Sequence, residues 1–262
     1  MNSSPLDIEL LIAQTFVRRV EYRPTVDSTN TLARELATTT PRDEIVLVIA
    51  DEQTAGRGRG SNRWWTGNGA LAFSLLVDSS LQGVDRRHAG MIALAAALAI
   101  VETVELFAPH ESVGLHWPND VYVGKRKLAG ILVEALADGR HVVGIGCNVN
   151  NSATAAPEAL AAIVTTLRDL TNVEHDRTRV LVELLQRFAA RLEQLAAAPD
   201  QLGRDAHHRC LQIHERLTIS VGQQETTGIC SGIADDGALL LDTPIGQQKF
   251  YSGVLVKQQP RY

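Results

Sequence analysis

Gly56-Arg57-Gly58-Arg59-Gly60, with Arg63-Trp64-Trp65 just behind it, follows closely on the apolar run Ile45-Val46-Leu47-Val48-Ile49-Ala50. The apolar run reads as a buried strand, so the glycines and arginines form a loop at a strand end. Glycine lets the backbone bend tightly and turn its N–H groups toward an anion. Arginine adds rigid forks of donors suited to carboxylate and phosphate. A loop built this way wraps something small and negatively charged. It is not a P-loop, because no Gly-Lys-Ser/Thr follows, and Asn62-Arg63-Trp64-Trp65 is a poor helix start for a dinucleotide fingerprint. Taken alone, the loop also reads as a solvated basic turn.

Outward from the loop, a short helix is expected over 7–17 and an extended segment over 18–25. A second helix is expected to begin near Asp27-Ser28-Thr29-Asn30, which offers several N-caps. Leu71–Val77, Val113–Trp117, Lys127–Leu136 and His141–Ile145 read as strands, and Asp85–Phe107 as a long buried helix. Three further helices are expected near 157–170, 176–197 and 200–210. Beyond them lie short strand-like pieces, Leu217–Val221, Thr226–Ile233, Ala238–Leu241 and Gln248–Tyr251, separated by Gly222-Gln223-Gln224 and Asp235-Asp236-Gly237. Their close setting predicts a small all-β barrel of about 50 residues. The boundary is placed near Gln212, giving domains 1–211 and 212–262.

The chain has 262 residues, 45% of them apolar, and a net charge of −5 from 30 acidic and 25 basic side chains. That balance argues against a general polyanion binder, though not against a local basic pocket. Three cysteines, Cys147, Cys210 and Cys230, with no Cys-x-x-Cys, suggest neither a disulfide framework nor a zinc site, and a reducing cytoplasm fits best. The N-terminus lacks the layout of a signal peptide, and the longest apolar stretch, Met91–Val101, is shorter than a membrane span.

Three further runs carry chemistry-bearing residues. His116-Trp117-Pro118-Asn119-Asp120 places an amide and an acid in a proline-stiffened turn at a strand end. Lys127-Leu128-Ala129-Gly130-Ile131-Leu132-Val133-Glu134 opens a strand with a lysine and sets a glycine inside it, a mark of close approach by a ligand or backbone. Gly144-Ile145-Gly146-Cys147-Asn148-Val149-Asn150-Asn151 again joins strand glycines to amides. Each has a plainer reading as a turn, a solvated strand end or core. His207, His208, Cys210 and His214 show no regular ligand spacing and read as structural.

In this order, however, the runs resemble the signature series of biotin protein ligase, from Asp27-Ser28-Thr29-Asn30 through Gln53-Thr54-Ala55-Gly56-Arg57-Gly58-Arg59, Trp64, Trp117-Pro118-Asn119-Asp120, Lys127–Glu134 and Gly144–Asn150, with a weaker continuation through Thr165-Thr166-Leu167 and Gly228–Leu241. The resemblance covers most of the chain from about residue 20. It implies an α+β fold: a class II synthetase-like catalytic domain whose mixed or antiparallel sheet carries biotin on one face, followed by a small SH3-like β-barrel. It implies an enzyme that uses ATP to convert biotin to biotinyl-5′-adenylate, then transfers biotin to a specific lysine of a biotin carboxyl carrier domain, for example that of acetyl-CoA carboxylase.

Residue by residue, the resemblance implies that Ser28, Thr29, Asn30 and Gln53 hold the ureido ring of biotin. Gly56, Arg57 and Arg59 lie over its tail and the phosphate, and Gly130 and Ile131 form the floor. Lys127 bridges carboxylate and α-phosphate. Arg57, Arg59, Arg63, Trp64, Asn119, Asp120, Lys127 and Asn148 bind the nucleotide. Lys127, Arg59 and Asp120 are the catalytic candidates, with Asp120 orienting or deprotonating the incoming amine. Mg²⁺ is expected with ATP and not as a protein-held ion. No nucleic-acid or membrane partner is expected, and the resemblance allows a homodimer.

The chain departs from the family pattern at Ser61-Asn62, where glycine and a basic residue are usual, at His116, where lysine is usual, and at Gly253-Val254, where an acid often follows the glycine. Arg63 is the candidate to replace the missing charge at Asn62. The third departure bears on whether the barrel reaches ATP through Lys257. A lipoate or octanoate ligase or transferase shares the catalytic fold and is the nearest alternative. A biotin-sensing repressor is disfavoured, because about 26 residues before Asp27 are too few for an independent domain. A non-catalytic binding module is disfavoured by the presence of Lys127, Asp120 and both loop arginines.

Overall fold

The computed structural model describes residues 5–256; Lys257 lies outside them. Its first part contains α1 (Ile8–Gln14), β1 (Arg19–Val26), α2 (Thr29–Leu36), β2 (Val46–Gln53), β3 (Leu71–Val77), α3 (Ile92–Phe107), β4 (Val113–His116), β5 (Asp120–Val123), β6 (Arg126–Ala135) and β7 (His141–Cys147). Four helices follow: α4 (Glu158–Ala161), α5 (Leu167–Thr171), α6 (Arg177–Ala197) and α7 (Pro199–His208). The strands form one mixed sheet in the order β1-β2-β3-β7-β6-β5-β4, in which β1 and β2 are parallel and the other neighbours antiparallel. The chain is thus α+β with a mixed sheet, as expected.

The two faces of this sheet have different tasks. Phe73, Leu75, Ile131, Val143 and Ile145 point to one side and belong to the main core, where α3 packs against β4, β5 and β6 and is itself covered by α6. The helical run Arg86–Phe107 has the length and hydropathy of a membrane span, but two thirds of its apolar window is buried in this core. On the other side, register brings Ser74 beside Gly144 and Leu132, and Ala72 beside Gly146 and Gly130. A one-residue slip would turn these rows into the core and expel Phe73 and Ile145, so burial fixes the register. On this second side α2 covers one end of the sheet, packing Ala33 and Ala37 on Val46, Val48, Leu76 and Val142. The rest is left open beside the N-terminus of α2.

The helix expected over 157–170 is broken. Residues 162–163 turn out of α4 and 164–166 run as a bridge beside Lys127, whose N donates to Ile163 O at 2.8 Å and whose O accepts from Thr165 N at 2.9 Å. Thr166 then caps α5, accepting from Asp169 N at 2.9 Å. The β-branched Val164-Thr165-Thr166 suits this short strand-like bridge better than a helix interior.

A second, five-stranded antiparallel sheet follows: β8 (Arg216–Val221), β9 (Gln224–Ile233), β10 (Leu239–Thr243), β11 (Gly246–Phe250) and β12 (Val254–Leu255), in the order β11-β10-β9-β8-β12. The last of these was not foreseen. The two sheets are joined tightly. Trp117 Nε1 donates to Gly237 O at 3.1 Å, Arg204 pairs with Asp235 at 2.9 Å, and Gly203 lets Asp235 O approach so closely that a Cβ would lie 2.0 Å from it. Buried Gln212 accepts from Trp117 N at 2.6 Å.

Candidate active site

The open face forms a cleft of about 620 Å³, within the ordinary range for a small-molecule site. The sheet supplies its floor, α2 one end, the glycine–arginine loop one wall, and β8 and β12 of the second sheet another. The floor is a trough of glycines. A Cβ on Gly146 would lie 2.2 Å from the Trp64 ring, and one on Gly144 would lie 1.9 Å from Asn30 Oδ1. These glycines therefore make room for two site side chains and not for a special backbone conformation.

Lys127 reaches this face through a β-bulge. Asp120 opposes Gly130 and Val121 opposes Ala129, but Tyr122 opposes Lys127, leaving Leu128 as the extra residue. Strict alternation from Gly130 would aim Lys127 into the core; the bulge turns it to the cleft instead. Its stem runs over Gly130, with Nζ 3.1 Å from where a Cβ would be. Its ammonium pairs with Asp120 Oδ2 at 2.7 Å and stands 5.7 Å from the centre of the Trp64 ring. Asp120 Oδ1 is buried with no hydrogen-bond partner among the described residues. Arg59 completes this group: burial lowers its guanidinium from the ordinary value, and the charge of Asp120 works against that.

At the α2 end a polar chain runs along the trough. Thr29 N donates to Gln53 Oε1 at 2.9 Å, and Gln53 Nε2 donates to Thr66 Oγ1 at 3.2 Å. Ser74 Oγ lies 2.8 Å from Thr29 Oγ1 and donates to Asn30 Oδ1 at 2.6 Å. Asn30 Nδ2 donates to Glu134 Oε2 at 2.7 Å. Ser28 is the N-cap of α2 with no side-chain cap bond, and it lines the cleft. Ser28, Thr29, Asn30 and Gln53 are thus together, as expected.

The loop is a small hairpin. Trp64 N donates to Gly56 O at 2.9 Å, Gly58 N donates to Asn62 O at 2.8 Å, and Arg57 bridges Arg63. Its cations diverge. Arg57 pairs with Glu134 at 2.8 Å, Arg59 faces Asp120, and Arg63 donates to Thr54 O at 3.2 Å while lining the cleft. Of the loop arginines, Arg59 is the one that shares a carboxylate, that of Asp120, with Lys127.

Other expected residues are present but committed. Asn119 Nδ2 donates to Ile131 O at 2.6 Å and Asn119 O accepts from Ile131 N at 2.8 Å, which braces the turn on β6. Asn148 Nδ2 donates to Thr165 O at 3.1 Å, and its Oδ1 accepts from Asn151. The side chain of Ile131 points into the core, so this residue offers the trough only backbone. His116 stacks on Tyr122 with centroids 4.0 Å apart. Burial lowers its imidazole from the ordinary value, against the pull of Glu215 and Asp120, so it is neutral at neutral pH and replaces no lysine. Burial, helped by Asp120, pushes the Tyr122 phenol up to about 12.

Sequence reasoning passed over Ser74, Tyr122 and Glu134. The first left a signal, as the one polar side chain in the strand Leu71–Val77. Glu134 left another, at even spacing from Gly130 along β6.

Comparison with known proteins agrees with this geometry. The Biotin/lipoate A/B protein ligase family matches residues 22–150, and the Biotin protein ligase C terminal domain matches residues 215–257. The chain is 38% identical over 200 residues to the biotin–[acetyl-CoA-carboxylase] ligase of Mycobacterium tuberculosis, covering 75% of this chain and 73% of that protein. It is 34% identical over 231 residues to the enzyme of that name from Paracoccus denitrificans, covering 85% and 93%. The biotin protein ligase of Aquifex aeolicus, solved with biotin and ATP, superposes with a TM-score of 0.79 at 28% identity, covering 91% of this chain and 98% of that one. With both sheets matched and the relatives covered over most of their length, the chain belongs to the biotin protein ligase family.

Proposed function

We propose that the chain activates biotin with ATP to biotinyl-5′-adenylate, then transfers the biotinyl group to one lysine of a biotin carboxyl carrier domain such as that of acetyl-CoA carboxylase. The observation that carries this reading is the Lys127–Asp120 pair, 2.7 Å apart, at the end of a glycine-lined trough. The ureido ring sits at the α2 end, against Ser28, Thr29, Asn30 and Gln53, and the carboxylate reaches Lys127. A carboxylate oxygen attacks the α-phosphorus and the bond to the bridging oxygen breaks, releasing pyrophosphate. The two reacting groups are both anionic, so Lys127 and Arg59 offset their repulsion and hold the charge that develops between them. Mg²⁺ arrives with ATP. In the second step the acceptor amine attacks the acyl carbon, the bond to phosphate oxygen breaks and AMP leaves; the amine proton passes to Asp120, whose Oδ1 has no competing partner among the described residues. The catalytic part is assigned to 1–211 and the second sheet's part to 212–262. Three free, buried thiols fit a reducing cytoplasm.

Pyrophosphate release with biotin, lipoate or octanoate as the acid distinguishes this reading from the lipoate alternative: biotin alone should support it. Asp120→Asn should spare that release and slow transfer to the carrier lysine about 10²–10⁴-fold, the usual range for loss of a general base. Equal loss in both steps would reduce Asp120 to a support for Lys127.

We assign Arg63 to the adenylate phosphate, in place of the cation missing at Asn62. For this its guanidinium must leave Thr54 O, an exposed contact of 3.2 Å that costs little to break. Arg63→Ala should then speed adenylate release about tenfold to a hundredfold, the value of one charge-assisted bond, with biotin affinity in the absence of ATP unchanged. Normal retention in this variant would leave the loop one cation short.

A further inference from the structure

Gly130, Leu132 and Glu134 share one face of β6, and the bulge adds Lys127 to it. The loop lies along this face from end to end. Its stem residue Arg57 meets Glu134, and Arg59, nearer the tip, meets the Asp120–Lys127 pair. The Glu134 carboxylate is saturated: Oε1 accepts from Arg57 at 2.8 Å and from Arg34 at 3.0 Å, and Oε2 accepts from Asn30 at 2.7 Å. Asn30 in turn fits against Gly144 and takes a bond from Ser74. Among the described residues, the Arg57–Glu134 contact is the one ion pair that joins loop and sheet by direct contact. In this arrangement Arg57 is committed to the sheet, through Glu134, and not to the floor of the cleft.

We propose that Glu134 is a positioning residue that clasps the stem of the glycine–arginine loop through Arg57 and ties it to Asn30, so that closure of the loop and order at the far end of the trough are one event. Arg57 is then part of the clasp, and the phosphate-facing charge falls to Arg59 and Lys127, with Arg63 as assigned above. Burial works to raise the Glu134 carboxyl, but the bonds from Asn30 and Arg57 and the nearby arginine charges outweigh it, so the carboxyl titrates below the usual range and the clasp stays ionised throughout neutral pH. The consequence for catalysis rests on the proposed function: the clasp keeps the adenylate from water and from escape.

The loop offers its own probe, since trypsin cuts after Arg59 and Arg63. On the full chain without ligand, Glu134→Gln should raise the rate of cleavage at these two positions about three- to tenfold, a half-exposed ion pair being worth less than a buried one. Arg57→Gln, which alters a side chain 41% exposed and so spares the core, should do the same. The double variant should be no faster than either single one, and Glu134→Asp should stay close to the unaltered chain. In biotin and MgATP, the lifetime of retained biotinyl-adenylate should shorten by a similar factor, with a smaller change in the rate of its formation. Unchanged cleavage in both single variants, or multiplying effects in the double variant, would overturn the clasp. Should the unaltered chain form no adenylate, the functional reading fails, while the cleavage rates still decide the clasp.

Discussion

Lys127→Ala should lower the rate of biotinyl-adenylate formation about 10²–10³-fold, the usual cost of removing one donor from a developing anion. Binding of a neutral biotin analogue that lacks the carboxylate should weaken far less. The separation follows from position. Lys127 stands at the bulge end of β6, beside Asp120 and remote from Asn30, so it can act on the carboxylate and α-phosphate without touching the ureido ring. The variant also leaves Asp120 without its cation, so Arg59 alone remains to balance that charge. Lys127→Arg keeps the charge but replaces a compact point donor with a planar fork, and should recover only part of the rate. Pre-steady-state pyrophosphate release, measured beside analogue binding, checks this. Equal losses in the two assays would assign Lys127 to simple binding.

Gly146→Ala should weaken biotin binding about tenfold to a hundredfold, from an overpacking cost of about 1–3 kcal/mol. The added methyl would lie 2.2 Å from Trp64 Cε2, so the indole must leave its place over the trough. Displacing Trp64 moves the loop stem, since its N–H donates to Gly56 O. The damage is therefore expected in the site, with unfolding affected less. Gly90→Ala is the control, because a methyl there meets nothing within 4 Å. Calorimetric titration with biotin, alongside thermal melts of both variants, makes the comparison. Unchanged affinity in Gly146→Ala would show that Trp64 can vacate the trough without consequence.

The chemistry of this cleft was more legible in the sequence than its geometry. The strand Leu71–Val77, the helix ending at Phe107 and the residues at the start of α2 declare themselves by apolar run and cap. The turn His116-Trp117-Pro118-Asn119-Asp120 is the connection between β4 and β5. What could not be read was parity. Lys127 and Gly130 lie three residues apart, which in a regular strand sets them on opposite faces, and only the unpaired Leu128 reconciles them. Composition gives no warning of a bulge at this point, because Leu128 is as apolar as its buried neighbours. The partners of the loop arginines were equally hidden. Gly56–Gly60 reads as a candidate anion site, yet the commitment of Arg57 to Glu134 depends on a carboxylate 77 residues away in sequence. The break in the helix near 162–166 has the same origin, in a pairing with Lys127 that local propensity does not encode.

On the proposed function, this cleft makes and holds a mixed anhydride of biotin and AMP. Native mass spectrometry of the purified chain after incubation with biotin and MgATP, then removal of free ligands, tests it directly. The expected result is a retained mass equal to biotinyl-adenylate, lost on addition of a carrier domain, which gains one biotinyl group. Retention of neither biotin nor adenylate, or an adenylate formed from lipoate but not from biotin, would contradict it.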